Sequence, residues 1–120
     1  MLWEYSQSTG VLTFNKVEVS TGYSGAGSGK NNPVMEHMVD VGPIPKGDYT
    51  IEGPRTSQNT GPYVLPLQPS GHTAHSRTAF QIHGDAIRNP GTASSGCIIM
   101  PRKTREKIWN SGVRSLTVIK

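Results

Sequence analysis

The sequence contains one thiol, Cys97, and shortly before it an imidazole, His83. A histidine that takes the thiol proton can hold a cysteine as a thiolate, which is the minimum arrangement for a cysteine nucleophile. His83 ends the alternating run of residues 80–83, a pattern typical of a half-buried strand. Cys97 opens the apolar run of residues 98–100, and the residues between are mostly loop formers. Two strands joined by a polar loop could therefore return the thiol to the imidazole.

Each of the two residues also has a purely structural interpretation. A free cysteine is usually a small buried hydrophobe, and a strand histidine can be hydrogen-bonded without any chemical role. The segment before Cys97 is polar and flexible, however, which is unlike a core strand. Gly96 would also let backbone N–H groups point at a developing oxyanion without an intervening side chain. We therefore favour the catalytic interpretation.

A zinc site is the main chemical alternative. Five side chains have suitable types for zinc, namely His72, His75, His83, Asp85 and Cys97. The first two lie in a loop with no regular element to orient them, and no second cysteine follows Cys97. A serine hydrolase is not indicated, because the chain has no G-x-S-x-G motif. We expect no metal and no other cofactor.

Polar residues around the candidate pair are candidates for substrate binding. A glycine-rich segment over residues 22–30 is either a flexible surface loop or the lining of a substrate cleft. We select residues from that segment and the position directly after it, from the run before the thiol, and from the basic stretch after the thiol. The candidate substrate-binding residues are Tyr23, Lys30, Asn31, Ser94, Ser95 and Arg102.

The composition favours a small, mainly β domain. The chain has 120 residues, of which 33% are hydrophobic, with 14 glycines and 9 prolines, a mixture typical of short strands joined by turns. We expect a single domain over residues 1–120, a compact β-sandwich or barrel with one short helix after Cys97. Further strands are predicted over residues 2–7, 11–19, 48–52, 63–67 and 114–119.

Breaking residues refine this outline. Pro101 suits the first turn of the helix, and Gly112 is the predicted stop. Pro66 makes the strand over residues 63–67 an edge or broken strand. Residues 53–61 are predicted to be a polar loop.

The charge and the termini limit the possible partners. The formal net charge of +4 favours anionic partners, but the basic residues lack the stripe with interleaved aromatics expected of a nucleic-acid binder. No run approaches the roughly 18 apolar residues of a membrane span. Residues 1–5 lack the pattern of a secretory signal. We expect neither nucleic-acid binding nor membrane insertion, and either a cytoplasmic protein or one exported without such a signal.

The motif around the candidate pair resembles the signature of the L,D-transpeptidase catalytic domain. His83-Gly84 and the run Ser94-Ser95-Gly96-Cys97-Ile98 match its His-Gly and Ser-His-Gly-Cys-Ile/Val elements. Residues 42–51 are similar to its upstream Thr-Pro-x-Gly-x-Phe/Tyr segment. A narrower resemblance is to small L,D-transpeptidase-like toxins injected by type VI secretion. It is carried by Trp3-x-Tyr5, Tyr23-Ser24-Gly25, Lys30-Asn31-Asn32-Pro33, the turn over residues 42–49 and Pro101-Arg102-x-x-Arg105-x-x-Ile108-Trp109.

Two positions depart from the broader family. Ser95 stands where the second histidine is expected, and Ile99 stands where an arginine is common. The segment between His83 and Cys97 is also short, which suggests a trimmed loop over the cleft.

The resemblance implies an enzyme that modifies peptidoglycan. Cys97 would attack the carbonyl between diaminopimelate and the terminal D-Ala of a tetrapeptide stem, and His83 would take the thiol proton. The Gly84 carbonyl would orient the imidazole, and backbone N–H groups of Gly96 and Cys97 would hold the oxyanion. Water, a D-amino acid or a second stem would then accept the acyl group.

The same resemblance implies delivery and partners. A protein made in the cytoplasm without a signal and acting on periplasmic peptidoglycan of a target bacterium would need a secretion apparatus. Its producer would need a cognate immunity protein. A non-catalytic wall-binding module of the same fold and a zinc amidase using His72, His75 and His83 remain alternatives.

Overall fold

The computed structural model describes residues 2–120, which form ten strands, one α-helix and three short 3-10 turns. The helix α1 spans Arg102–Asn110. The strands are β1 (Trp3–Ser6), β2 (Val11–Phe14), β3 (Val17–Thr21), β4 (Tyr23–Ser24), β5 (Gly47–Ile51), β6 (Arg55–Ser57), β7 (Gly61–Ser70), β8 (Phe80–His83), β9 (Ile98–Ile99) and β10 (Ser115–Ile119).

Nine of these strands follow one another in a single sheet, in the order β3-β2-β1-β10-β5-β7-β8-β9-β4, and β6 pairs with β7. The prediction of a mainly β fold with one helix after Cys97 is confirmed. Strand β1 is parallel to β10, with Trp3 opposite Leu116. Strand β8 is parallel to β9, with His83 opposite Ile99. The first and last strands of the chain are therefore neighbours inside the sheet.

The core is built from alternate side chains of the central strands. Trp3 and Tyr5 of β1 are almost fully buried, as are Tyr49 of β5 and Leu116 of β10. Helix α1 covers this core through Ile108. Gly112 follows the helix with a positive φ of 78°, as predicted, whereas Pro101 is the N-cap and lies one residue before the first turn in which it was predicted. None of the helices in residues 2–120 combines the length and apolarity needed to span a membrane.

The strand predicted over residues 11–19 is wrong, because it is two strands joined by a tight hairpin. Asn15 and Lys16 both have positive φ, 51° and 69°, between the paired residues Phe14 and Val17. Two positive φ values define a type I′ turn, whose strongest sequence signal is Asn-Gly. Lys16 in the second position conceals the turn.

Two predictions around β7 are also wrong. The polar loop over residues 53–61 contains β6, and β7 is a ten-residue strand between β5 and β8. Pro66 is tolerated there because its backbone faces the end of β5. Its carbonyl accepts a 2.9 Å hydrogen bond from Glu52 N–H, just past Ile51, so the missing proline N–H falls where the β5 ladder stops.

Candidate active site

His83 and Cys97 lie on neighbouring parallel strands. Ile82 pairs with Ile98 and His83 with Ile99, so Cys97, just before β9, lies beside Gln81. Side chains two apart along a strand share a face, which puts His83 and Cys97 on one face of the sheet. The usual rise and strand spacing separate their Cα atoms by roughly 8 Å.

The sulfur points toward the start of β8. Sγ lies 3.7 Å from the Ala79 carbonyl oxygen, and within residues 2–120 it makes no hydrogen bond to His83. Burial raises the pKa of the Cys97 thiol, while the Gln81 backbone amide and the Arg77 charge lower it. The thiol is partly exposed and lines a cavity of about 330 Å³ that also contacts Val39, Asp40, Ser76, Arg77, Thr78, Ala79, Phe80, Ser95 and Gly96.

The imidazole of His83 is only 3% exposed and is held by its own loop. Nδ1 lies 2.9 Å from the Gly84 carbonyl oxygen, which accepts only, so Nδ1 carries the hydrogen and Nε2 of the neutral ring is the basic nitrogen. Burial lowers the pKa of His83. The Gly84 hydrogen bond opposes that shift, and the charge of Arg105 adds to it.

Ser94 organises the turn before the thiol. Its hydroxyl accepts hydrogen bonds from Gly25 N–H at 2.9 Å and from Gly96 N–H at 3.1 Å, and it donates to the Cys97 carbonyl at 2.7 Å. Ser94 is buried, whereas Ser95 is exposed and lines the cavity. The Gly96 N–H, a predicted oxyanion donor, is thus already used inside the turn.

The structure places none of the other four candidate binding residues, Tyr23, Lys30, Asn31 and Arg102, in the lining of the Cys97 cavity. Tyr23 belongs to β4 and pairs with Ile99. Lys30 Nζ lies 4.5 Å from the centre of the Tyr23 ring. Asn31 Oδ1 accepts a 3.2 Å hydrogen bond from Ser24 N–H. Arg102 lies on α1, paired with Glu106 at 3.1 Å, and does not line the Cys97 cavity.

A comparison with known families identifies the chain. Residues 18–120 match the family model described as the Tlde1 domain, and this match covers most of the sequence. The chain belongs to the Tlde1 domain family. This is a family of type VI secretion effectors. No curated protein and no solved structure matched the chain.

Membership of the Tlde1 domain family sets a coarse function. It indicates an antibacterial, enzymatic toxin that is secreted into target cells. It also implies a secretion system and a cognate immunity partner. The predictions of a type VI effector and of an immunity partner are confirmed at this level.

Sequence reasoning missed two buried arginines within the Tlde1 domain. Arg77 is 6% exposed and donates to backbone carbonyls near the thiol. Arg105 is also 6% exposed, donates to the Pro62 and Tyr63 carbonyls, and lies against Gly84 next to the imidazole. Arg77 belongs to no recognisable motif, and Arg105 entered the sequence analysis only as part of the resemblance motif over residues 101–109, without a role. The carbonyl partners of both arginines have no sequence signature.

The histidines proposed for zinc have separate partners. His72 Nε2 lies 2.9 Å from the Asp48 carbonyl oxygen, and His75 Nε2 lies 2.7 Å from Glu36 Oε2. His83 is held by Gly84. In residues 2–120, no group of three His, Cys, Asp or Glu side chains is arranged to hold a metal.

Proposed function

We propose that this effector is a cysteine-dependent enzyme that cleaves the diaminopimelate–D-Ala bond of peptidoglycan tetrapeptide stems. The proposal rests mainly on one relationship. His83 and Cys97 occupy one face of two adjacent parallel strands, with the imidazole fixed through Nδ1 on Gly84 and the thiol open to a cavity. The similarity of the motif to L,D-transpeptidases supplies the substrate.

The reaction begins from a neutral pair. Burial raises the pKa of Cys97 and lowers that of His83, so at neutral pH the resting forms are thiol and imidazole. Rotation about the Cα–Cβ bond of Cys97 turns Sγ from the Ala79 carbonyl toward His83, a change between staggered rotamers. Nε2 then accepts the thiol proton as sulfur attacks the stem carbonyl.

The following steps use the same two residues. The tetrahedral oxyanion is held by Cys97 N–H, joined by Gly96 N–H when it exchanges its bond to Ser94. The C–N bond breaks, and His83 returns its proton to the departing D-Ala. Water or a D-amino acid attacks the thioester while His83 takes its proton. The C–S bond then breaks, and His83 passes that proton to the departing sulfur, which restores the thiol. The products are a tripeptide stem or a stem with an exchanged D-amino acid.

The cavity has charges that suit this substrate. Diaminopimelate retains an ammonium and a carboxylate on its side chain, and Asp40 lines the cavity next to Cys97. We assign Asp40 to the ammonium group. Acting in the periplasm, the enzyme would remove the acyl donors that cross-linking requires, and an immunity partner would protect the producer by closing the cavity.

The proposal is tested with purified tetrapeptide muropeptides. Wild type should release terminal D-Ala, whereas Cys97→Ala and His83→Ala should not, and Arg55→Gln, an exposed change that does not line the cavity, should match wild type. Equal release by wild type and Cys97→Ala would overturn the proposal.

A non-catalytic wall-binding module is the second candidate, favoured by the absence of a Cys97–His83 hydrogen bond within residues 2–120. It predicts retention on purified sacculi with unchanged muropeptides. It also predicts no mass adduct at Cys97 after exposure to a carbapenem, whereas the enzyme should form one.

A further inference from the structure

One guanidinium holds together three backbone segments around the thiol. Arg77 Nη1 donates to the carbonyls of Glu36 and Pro43, the latter at 2.9 Å. Nη2 donates to the Gly42 carbonyl at 3.1 Å and to the Ser95 carbonyl at 3.4 Å. Because a guanidinium offers its donors in a fixed fork, these bonds fix the position of the turn that delivers Cys97.

Two backbone segments next to Arg77 have unusual conformations, one facing its guanidinium and one directly before it in the chain. Gly96 is buried with a φ of 140°, and a Cβ there would collide with Arg77 Nη2. In the three residues directly before Arg77, namely Ala74, His75 and Ser76, φ is positive, between 50° and 61°. Left-handed conformations cost non-glycine residues roughly 1–2 kcal/mol each. Such strain persists only where surrounding contacts enforce it.

Arg77 is also placed to act on the sulfur. It lines the same cavity as Cys97, two residues before the Ala79 carbonyl that contacts Sγ. Its Cζ lies 5.5 Å from the centre of the Phe80 ring, which helps to hold the guanidinium in place. The four carbonyls it contacts are neutral, and within residues 2–120 no carboxylate forms a salt bridge with it. The Asp40 and Glu36 carboxylates and the Tyr49 hydroxyl lie close enough to interact with its charge.

We propose that Arg77 is a positioning residue for Cys97. Its fork fixes the Ser95–Gly96 backbone so that the thiol faces the cavity, and its charge stabilises the thiolate that forms there. This inference deepens the site and rests on the proposed function for its role in turnover, although the effect on the thiol is independent of any substrate.

The test is the rate of alkylation of Cys97 by iodoacetamide, followed by intact mass from about pH 6 to 10. Arg77→Gln should react about tenfold more slowly than wild type at neutral pH, with its rate–pH curve displaced to higher pH, because thiolate is the reactive form. Arg77→Lys keeps the charge but loses the forked donors, so its alkylation rate should lie between those of wild type and Arg77→Gln. Arg55→Gln removes an exposed charge and should behave as wild type.

The outcomes separate this inference from the proposed function. Wild-type alkylation curves for folded Arg77→Gln and Arg77→Lys would overturn it. If one of these two variants fails to fold by circular dichroism, the other carries the test. A wild-type alkylation curve for that folded variant would then overturn the inference. If wild type does not cleave muropeptides, the proposed function is overturned, but the alkylation result is unaffected.

Discussion

The Tyr23 hydroxyl donates a 2.6 Å hydrogen bond to Asp85 Oδ1 and so joins β4 to the loop between His83 and Cys97. The same hydroxyl accepts from Ala93 N–H at 2.9 Å, and the Asp85 carboxylate accepts from Gly91 N–H at 3.0 Å. Burial and Asp85 together raise the pKa of Tyr23 to about 12. One phenol and one carboxylate therefore fix both halves of the short loop that connects the proposed base to the proposed nucleophile.

Removing that hydroxyl should loosen the loop. We expect Tyr23→Phe to lower the free energy of unfolding by about 1 kcal/mol, since the bonds lie near the surface, and to speed amide exchange at Gly91 and Ala93. Urea denaturation and hydrogen exchange measure both. Tyr63→Phe is the matched control, because among the described residues the Tyr63 hydroxyl has no hydrogen bond. Equal exchange rates in the two variants would contradict the assignment.

Two adjacent serines should behave differently. Ser94→Ala leaves the Gly25 and Gly96 N–H groups without their buried acceptor, so we expect a loss of about 1–3 kcal/mol in unfolding free energy. Ser95→Ala alters an exposed side chain and should change the free energy of unfolding by less than about 0.5 kcal/mol. Thermal and urea unfolding of the pair provide the comparison. A loss of muropeptide affinity in Ser95→Ala without a loss of stability would support its predicted contact with substrate.

The pH dependence of turnover should reflect a depressed histidine pKa. Burial and the charge of Arg105 lower the pKa of His83 below its ordinary value of 6.5. A general base works only when unprotonated, so kcat/KM should rise with pH through a midpoint below 6.5. Arg105→Gln removes one depressing charge and should move this midpoint upward, whereas Arg102→Gln, exposed on the same helix, should not. A midpoint above 6.5 in wild type would be inconsistent with the site.

Acid should destabilise the fold through Glu36. Burial raises the pKa of this carboxylate, but hydrogen bonds from Gln7, His75 and Lys46 outweigh it and lower the pKa from 4.5 to about 2. A depressed folded-state pKa gives stability that is complete above the unfolded value and is lost as pH falls through the folded one. The stability of wild type should therefore decline from about pH 4.5 to about pH 2.

The Glu36→Gln variant tests that explanation. It cannot titrate, so its stability should vary less with pH over that window, as measured by denaturant midpoints. Glu18→Gln changes an exposed carboxylate on β3 and should retain the wild-type slope. The explanation fails if the slope of Glu36→Gln equals that of Glu18→Gln.

The sequence predicts best the elements that are specified by local patterns, namely the alternation of apolar and polar residues and the prolines and glycines at the ends of elements. β1, β5, β8, β10 and α1 lie close to their predicted ranges, because apolar residues at period two or a proline and a glycine at the ends of a helix act within a few residues. The split between β2 and β3 was missed because Lys16 takes a positive φ without being glycine.

The site was less predictable than the strands that carry it. The neighbouring positions of His83 and Cys97 follow from two short strands joined by one loop. The direction of the sulfur depends on a rotamer beside Ala79, which sequence pattern cannot specify. The role of Arg77 depends on backbone carbonyls from distant segments, and every residue type has a carbonyl.

The parallel pairing of β1 with β10 means that the limits of the family match are not the limits of the folding unit. A fragment of residues 18–120 would lose Trp3 and Tyr5 from the core and would leave β10 with a bare hydrogen-bonding edge. Such edges recruit strands from other molecules. Chimeras or fusions that transplant this toxin must therefore carry its first hairpin, or they will aggregate before any chemistry can be measured.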